Sequence, residues 1–133
     1  MASYHLLVLE DNPGDVYLLR LALQKAGLDC ELTVFEDGAS AIAYVEQPAH
    51  TRAGHHLVIL DLNVPKRSGL DALKALRRQA GFAQVPVAVL SSSSTPAERA
   101  AIQAFENVQF LTKPPTLDEF LDIGDALKKM VAG

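Results

Sequence analysis

Tryptophan is absent from the 133-residue chain and cysteine occurs once, as Cys30. A lone cysteine excludes an internal disulfide and a thiolate metal cluster, and it is compatible with a reducing compartment. No apolar run approaches the ~18 residues that a membrane helix requires. The opening MASYHLLVLEDN has no basic flank before its short apolar stretch, so a secretory signal is not expected either. Basic residues number 12 against 16 acidic ones, and they gather no further than Arg77-Arg78 and Lys128-Lys129. A net charge of −4 without a basic face argues against nucleic acid as a partner. These absences predict a cytoplasmic protein that binds neither membrane nor nucleic acid.

What is present is 49% hydrophobic residues, enough at this length for one domain over residues 1–133 with a single substantial core. Short apolar or β-branched runs predict five strands: His5 to Leu9, Glu31 to Phe35, Leu57 to Leu60, Val85 to Leu90 and Val108 to Leu111. Helix signals follow each of them. Asn12-Pro13 provides a cap and a first-turn proline, Asp15 adds first-turn negative charge, and Gly27 ends that helix. Asp37-Gly38 opens ASAIAYVE, Ser68 and Asp71 bracket the start of GLDALKALRRQ, Thr95-Pro96 with Glu98 opens a fourth helix, and Thr116 with Glu119 opens the last. Pro86 near the start of the fourth strand sits where its missing N–H matters least. Residues 48–54 show no periodicity and are expected to form an exposed loop. Five strands alternating with five helices predict a doubly wound parallel α/β fold. The order 2-1-3-4-5 makes the first and third strands neighbours at the switch point.

The chemistry lies at the strand ends. LVIL runs into Asp61, and LLVL runs into Glu10 and Asp11. With the first and third strands adjacent, the three carboxylates converge and repel one another unless a cation shares them. A hard divalent ion, Mg²⁺, suits such a shallow oxygen-rich site. Neutralising the cluster would let a phosphoryl group approach a carboxylate nucleophile, for which Asp61 is the candidate. Ser91 follows the fourth strand with a hydroxyl, and Lys113 follows the fifth with an ammonium; both suit developing charge on phosphoryl oxygens. A flavin- or nucleotide-binding protein of similar fold would want glycines or hydroxyls after the first strand instead of two acids. A haloacid-dehalogenase-like hydrolase would carry its aspartate nucleophile there, whereas Asp61 follows the third strand.

In order and spacing, Glu10-Asp11, Asp61 with Pro65 and Gly69 in DLNVPKRSG, Ser91, and Lys113-Pro114 resemble the receiver domains of two-component response regulators over nearly the whole chain. EDNPGD, with the long connection before the third strand, narrows the resemblance to stand-alone receivers that work with phytochrome-type sensor kinases. The resemblance implies that Asp61 accepts a phosphoryl group from a kinase histidine. It implies Mg²⁺ on Asp11, Asp61 and the Asn63 carbonyl with Glu10 assisting through water, and Lys113 on the aspartyl phosphate. Backbone N–H groups near Asn63 and Ser92 would complete the anion pocket, and Ser91 and Phe110 would form the conformational switch. Turnover would be confined to self-phosphorylation and hydrolysis, without a diffusible substrate.

With the last helix extending to about Val131, no output domain is expected. A homodimer through the last helix and strand is, drawing on the apolar face Leu117, Phe120, Leu121, Ile123, Leu127 and Met130. Departures from the family pattern are Phe110 for the commoner Tyr, Ser91 for Thr, and Glu106-Asn107 for Gly-Ala, which should leave that loop less compact. His5, His50, His55 and His56 lack a metal-binding spacing. Tyr17 and Tyr44 are expected to pack on helix faces, and Cys30 to act as a small filler.

Overall fold

The computed structural model describes residues 4–48 and 54–132. His50 and most of the expected 48–54 loop lie outside the described residues. Five parallel strands, β1 (Tyr4–Leu9), β2 (Cys30–Phe35), β3 (Leu57–Leu60), β4 (Val87–Ser91) and β5 (Val108–Thr112), form one sheet in the order 2-1-3-4-5. The helices are α1 (Pro13–Lys25), α2 (Gly38–Val45), α3 (Gly69–Arg78), α4 (Pro96–Gln103) and α5 (Leu117–Ala132). The predicted fold is the observed one.

Both sheet faces are covered, so alternate residues of each central strand enter different apolar layers. Leu7, Leu9, Val58, Leu60, Val87 and Val89 pack with Ile42 of α2, Leu73 and Leu76 of α3, and Ile102 of α4. Leu6, Val8, Leu57, Ile59, Ala88 and Leu90 pack on the other side with Leu19 and Leu23 of α1 and Phe120, Ile123 and Leu127 of α5. Burial of these side chains is the main force behind the fold, at about 1.5–3 kcal/mol for each Val, Leu, Ile or Phe. The predicted caps form: Asn12 Oδ1 accepts from the Gly14 N–H, Ser68 and Thr95 make capping boxes with Asp71 and Glu98, and Thr116 Oγ1 accepts from the Glu119 N–H.

Three expectations need correction. β4 begins at Val87 and not at Val85. The Val85 N–H is directed to the Phe82 carbonyl, in the turn that follows the 3-10 helix Ala80–Phe82, and Pro86 has no N–H to offer. Tyr17 does not pack on its helix: it is 62% exposed. Tyr44 does pack, its ring 5.0 Å from Phe35 and its hydroxyl 3.3 Å from His55 Nε2. The 106–107 loop is not loose. Arg77 donates from Nη1 to the Phe82 and Val85 carbonyls and from Nη2 to those of Glu106 and Asn107. Asn107, at φ 58°, also donates from Nδ2 to the Gln84 carbonyl. Asparagine tolerates that left-handed conformation better than most side chains.

Candidate functional site

The last rungs of the sheet place the key groups at one edge. The Glu10 N–H bonds to the Phe35 carbonyl, the Asp61 N–H to that of Leu9, and the Lys113 N–H to that of Ser91, each at 2.9 Å. Glu10, Asp11 and Asp61 offer carboxylate oxygens that all lie within 4.8 Å of one another, with Glu10 and Asp61 buried and Asp11 exposed. Lys113 enters this cluster directly. Its Nζ donates to Glu10 Oε1 at 2.6 Å, Asp15 Oδ2 at 2.8 Å and Asp61 Oδ2 at 3.0 Å.

The electrostatics follow from that packing. Burial raises the Glu10 carboxyl to about 7, against the opposing pull of Lys113 and of the Asn12 N–H on Oε2. Burial also works against the charge on Lys113. Its hydrogen bonds to Asp15, Glu10 and Asp61 outweigh that effect and hold the ammonium pKa above its ordinary value. The donor set, three carboxylates at a sheet edge with one open to solvent, fits a hard divalent cation that retains several waters.

The β3–α3 loop is held from two sides. The Pro65 and Lys66 carbonyls accept from the Gly38 and Ala39 N–H groups at the start of α2, at 3.0 and 2.6 Å. Lys66 and Arg67 occupy left-handed backbone at φ 52° and 78°. At its far end a Cβ on Gly69 would lie 2.2 Å from the Asp61 carbonyl oxygen, so only glycine permits this approach. Within the loop the Asn63 N–H donates to Asp61 Oδ1 at 3.0 Å.

Ser91 is buried, but its hydroxyl donates to the Ser93 carbonyl at 2.7 Å and accepts from Asn63 Nδ2 at 3.3 Å. It belongs to the turn beside the acids and is not bonded to Asp61. Ser92 is exposed and lines an open crevice of about 550 Å³ with Asp15, Lys113, Pro114 and Leu117. Phe110 is half-buried under the guanidinium of Arg99. Of the six α5 residues expected to meet a second copy, Phe120, Ile123 and Leu127 are buried, Leu121 and Met130 are half-buried, and Leu117 is largely exposed. Sequence reasoning treated Asp15 as first-turn charge and missed it as a Lys113 partner. No local pattern signals a contact between residues 98 positions apart. The three described histidines take no part in the site: His5 and His56 stack at the opposite sheet edge, and His55 stacks on Phe82.

A family model described as "Response regulator receiver domain" matches residues 6–124. The chain belongs to the response regulator receiver family. The receiver is 29% identical to response regulator Rcp1 of Synechocystis sp. over 130 residues, covering 96% of this chain and 84% of that protein. The crystal structure of the phosphorylated cyanobacterial phytochrome response regulator RcpA superposes with a TM-score of 0.85 at 27% identity, over 99% of this receiver and 96% of that chain. The Mn²⁺-bound form of Rcp1 gives 0.82 at 26% identity, covering 95% and 92%. The narrower resemblance to stand-alone phytochrome response regulators therefore holds in sequence and in structure. The receiver is a two-component signalling module, and among its described residues no helix is long and apolar enough to cross a membrane.

Proposed function

We propose that this receiver is a single-domain response regulator that takes a phosphoryl group from a sensor histidine kinase onto Asp61 and signals through a phosphorylation-sensitive protein surface. The observation that carries this is Asp61 itself. It is a buried carboxylate with Oδ1 bonded to the Asn63 N–H and Oδ2 to Lys113, at an edge shared with Glu10 and Asp11. An Asp61 oxygen attacks phosphorus of a phosphohistidine, the P–O bond forms, and the P–N bond breaks with its electron pair returning to the imidazole. Water later attacks the same phosphorus, releasing inorganic phosphate and restoring the carboxylate. Turnover is confined to this residue.

Asp11, Asp61, the Asn63 carbonyl and, through water, Glu10 would hold Mg²⁺, which supplies positive charge against the phosphoryl oxygens when bound. Lys113 supplies a second positive charge, and N–H groups of Asn63 and Ser92 further donors. Ser91 and Phe110 carry the change toward α4 and β5. The likeness to RcpA and Rcp1 supports a phytochrome-type kinase as the donor. A homodimer through the β5–α5 face belongs to the same proposal and is measured by sedimentation equilibrium with and without beryllofluoride; a monomer in both conditions removes the dimer and leaves Asp61 untouched. The decisive experiment is phosphorylation by a histidine kinase or by phosphoramidate, followed by mass mapping. Label confined to the Asp61 peptide and absent in D61N is expected, and full labelling of D61N would overturn the assignment.

A further inference from the structure

An ammonium carries three protons, and all three on Lys113 have acceptors: Glu10, Asp15 and Asp61. Under the function proposed above, two of these acceptors are needed elsewhere during the cycle. Glu10 faces the cation site, and Asp61 ceases to be a carboxylate once phosphorylated. Asp15 stands apart from both. It lies on the first turn of α1, outside the three converging carboxylates, with its side chain 25% exposed against 11% for Lys113.

Its backbone is fixed where it needs to be. Asn12 Oδ1 accepts from the Gly14 and Asp15 N–H groups at 2.8 and 3.4 Å, and the positive end of the α1 dipole favours the charge on Asp15. Lys113 is equally constrained at its base. Its N–H completes the β4–β5 ladder on the Ser91 carbonyl, and Pro114 and Pro115 follow directly. The flexible part of Lys113 is thus a four-carbon stem between a fixed backbone and a short carboxylate side chain carried on the held first turn of α1.

We propose that Asp15 is a positioning residue: it tethers the Lys113 ammonium on the α1 side of the site, keeping it over Asp61 while Glu10 and Asp61 change partners. Charge-assisted hydrogen bonds are among the stronger ones available, and this one joins groups that are mostly shielded from water. Loss of Asp15 leaves Lys113 with two acceptors and a larger range of motion.

Parent, D15N, D15S, D15E, K113A and D15N/K113A distinguish this role from simple charge removal. Competitive labelling with acetic anhydride, read by mass spectrometry against exposed Lys74, measures the availability of the Lys113 amine without any phosphodonor. D15N and D15S should raise Lys113 labelling at least threefold and D15E should restore it; unchanged labelling in folded D15N and D15S overturns the tether. With phosphoramidate and Mg²⁺, D15N should slow Asp61 labelling at least threefold in the presence of Lys113 and have no effect in K113A. Faster labelling of D15N, or the same factor lost with and without Lys113, would show that Asp15 acts only as a charge facing an anionic donor and would overturn the proposal. If no variant or parent labels at Asp61, the proposed function fails, and the acetylation arm still decides the tether.

Discussion

The guanidinium carbon of Arg99 lies 4.1 Å from the centroid of the Phe110 ring. Its Nε also donates to Ser94 Oγ at 2.9 Å, so one side chain joins the serine run after β4, helix α4 and strand β5. At an exposed site such a cation–π contact contributes about 0.5–1 kcal/mol. A double-mutant cycle of R99A and F110L, followed by chemical denaturation, should return a coupling of about that size. Additive losses would show the stacking to be energetically idle.

Asp11 is exposed and is not among the acceptors of Lys113, which distinguishes it from Glu10 and Asp61. D11A should leave thermal stability within about 0.5 kcal/mol of the parent. Its Mg²⁺ affinity, measured by calorimetric titration, should fall at least about tenfold, because one of three hard oxygen donors is lost. Equal affinities in D11A and parent would place the cation elsewhere.

Glu10 sets a pH dependence. Burial raises its carboxyl from 4.5 to about 7, so its protonated form is favoured in the folded protein. The resulting contribution to stability is complete below 4.5 and is lost as pH rises through about 7. Its size is on the order of 3 kcal/mol. Thermal unfolding of the parent in chelator should fall across that window, and E10Q should flatten the slope. Mg²⁺ affinity should run the other way, rising with pH as Glu10 ionises.

Two glycines make a paired test of packing. A methyl group on Gly69 would meet backbone of Asp61 and Leu62 at 2.2–2.9 Å, whereas one on Gly54 would meet nothing within 4 Å. G69A should cost about 1–3 kcal/mol and slow phosphoryl acceptance, because the loop must move away from Asp61. G54A should change neither. Equal behaviour of the two variants would contradict the close approach at Gly69.

Much of this molecule was legible because its signals are local. Uninterrupted runs such as LVIL mark strands buried on both faces, and the Ser68/Asp71 and Thr95/Glu98 pairs mark helix starts. The convergence of Glu10, Asp11 and Asp61 follows from strand order alone. What escaped depends on contacts distant in sequence. Arg77 looked like half of a surface basic pair until folding brought four carbonyls to its guanidinium. Asp15 looked like a helix-dipole partner until Lys113 reached it from the far side of the sheet. Tyr17 was misjudged for the opposite reason: aromatic character predicts burial on average but does not select a helix face. The left-handed turn at Lys66 and Arg67 has no composition signal, since neither residue favours that conformation.

The backbone support of that turn has a consequence for how related proteins could diverge. Its shape is maintained by the carbonyls of Pro65 and Lys66 on the α2 N–H groups and by the bare Cα of Gly69, while the side chains of Lys66 and Arg67 are exposed. Charge at these two positions can therefore be exchanged without rebuilding the pocket around Asp61. Two exposed charges can thus vary within a few residues of Asp61 while the turn keeps its path. K66E/R67E should leave labelling by phosphoramidate close to that of the parent, and a large loss would show that the two side chains hold the turn.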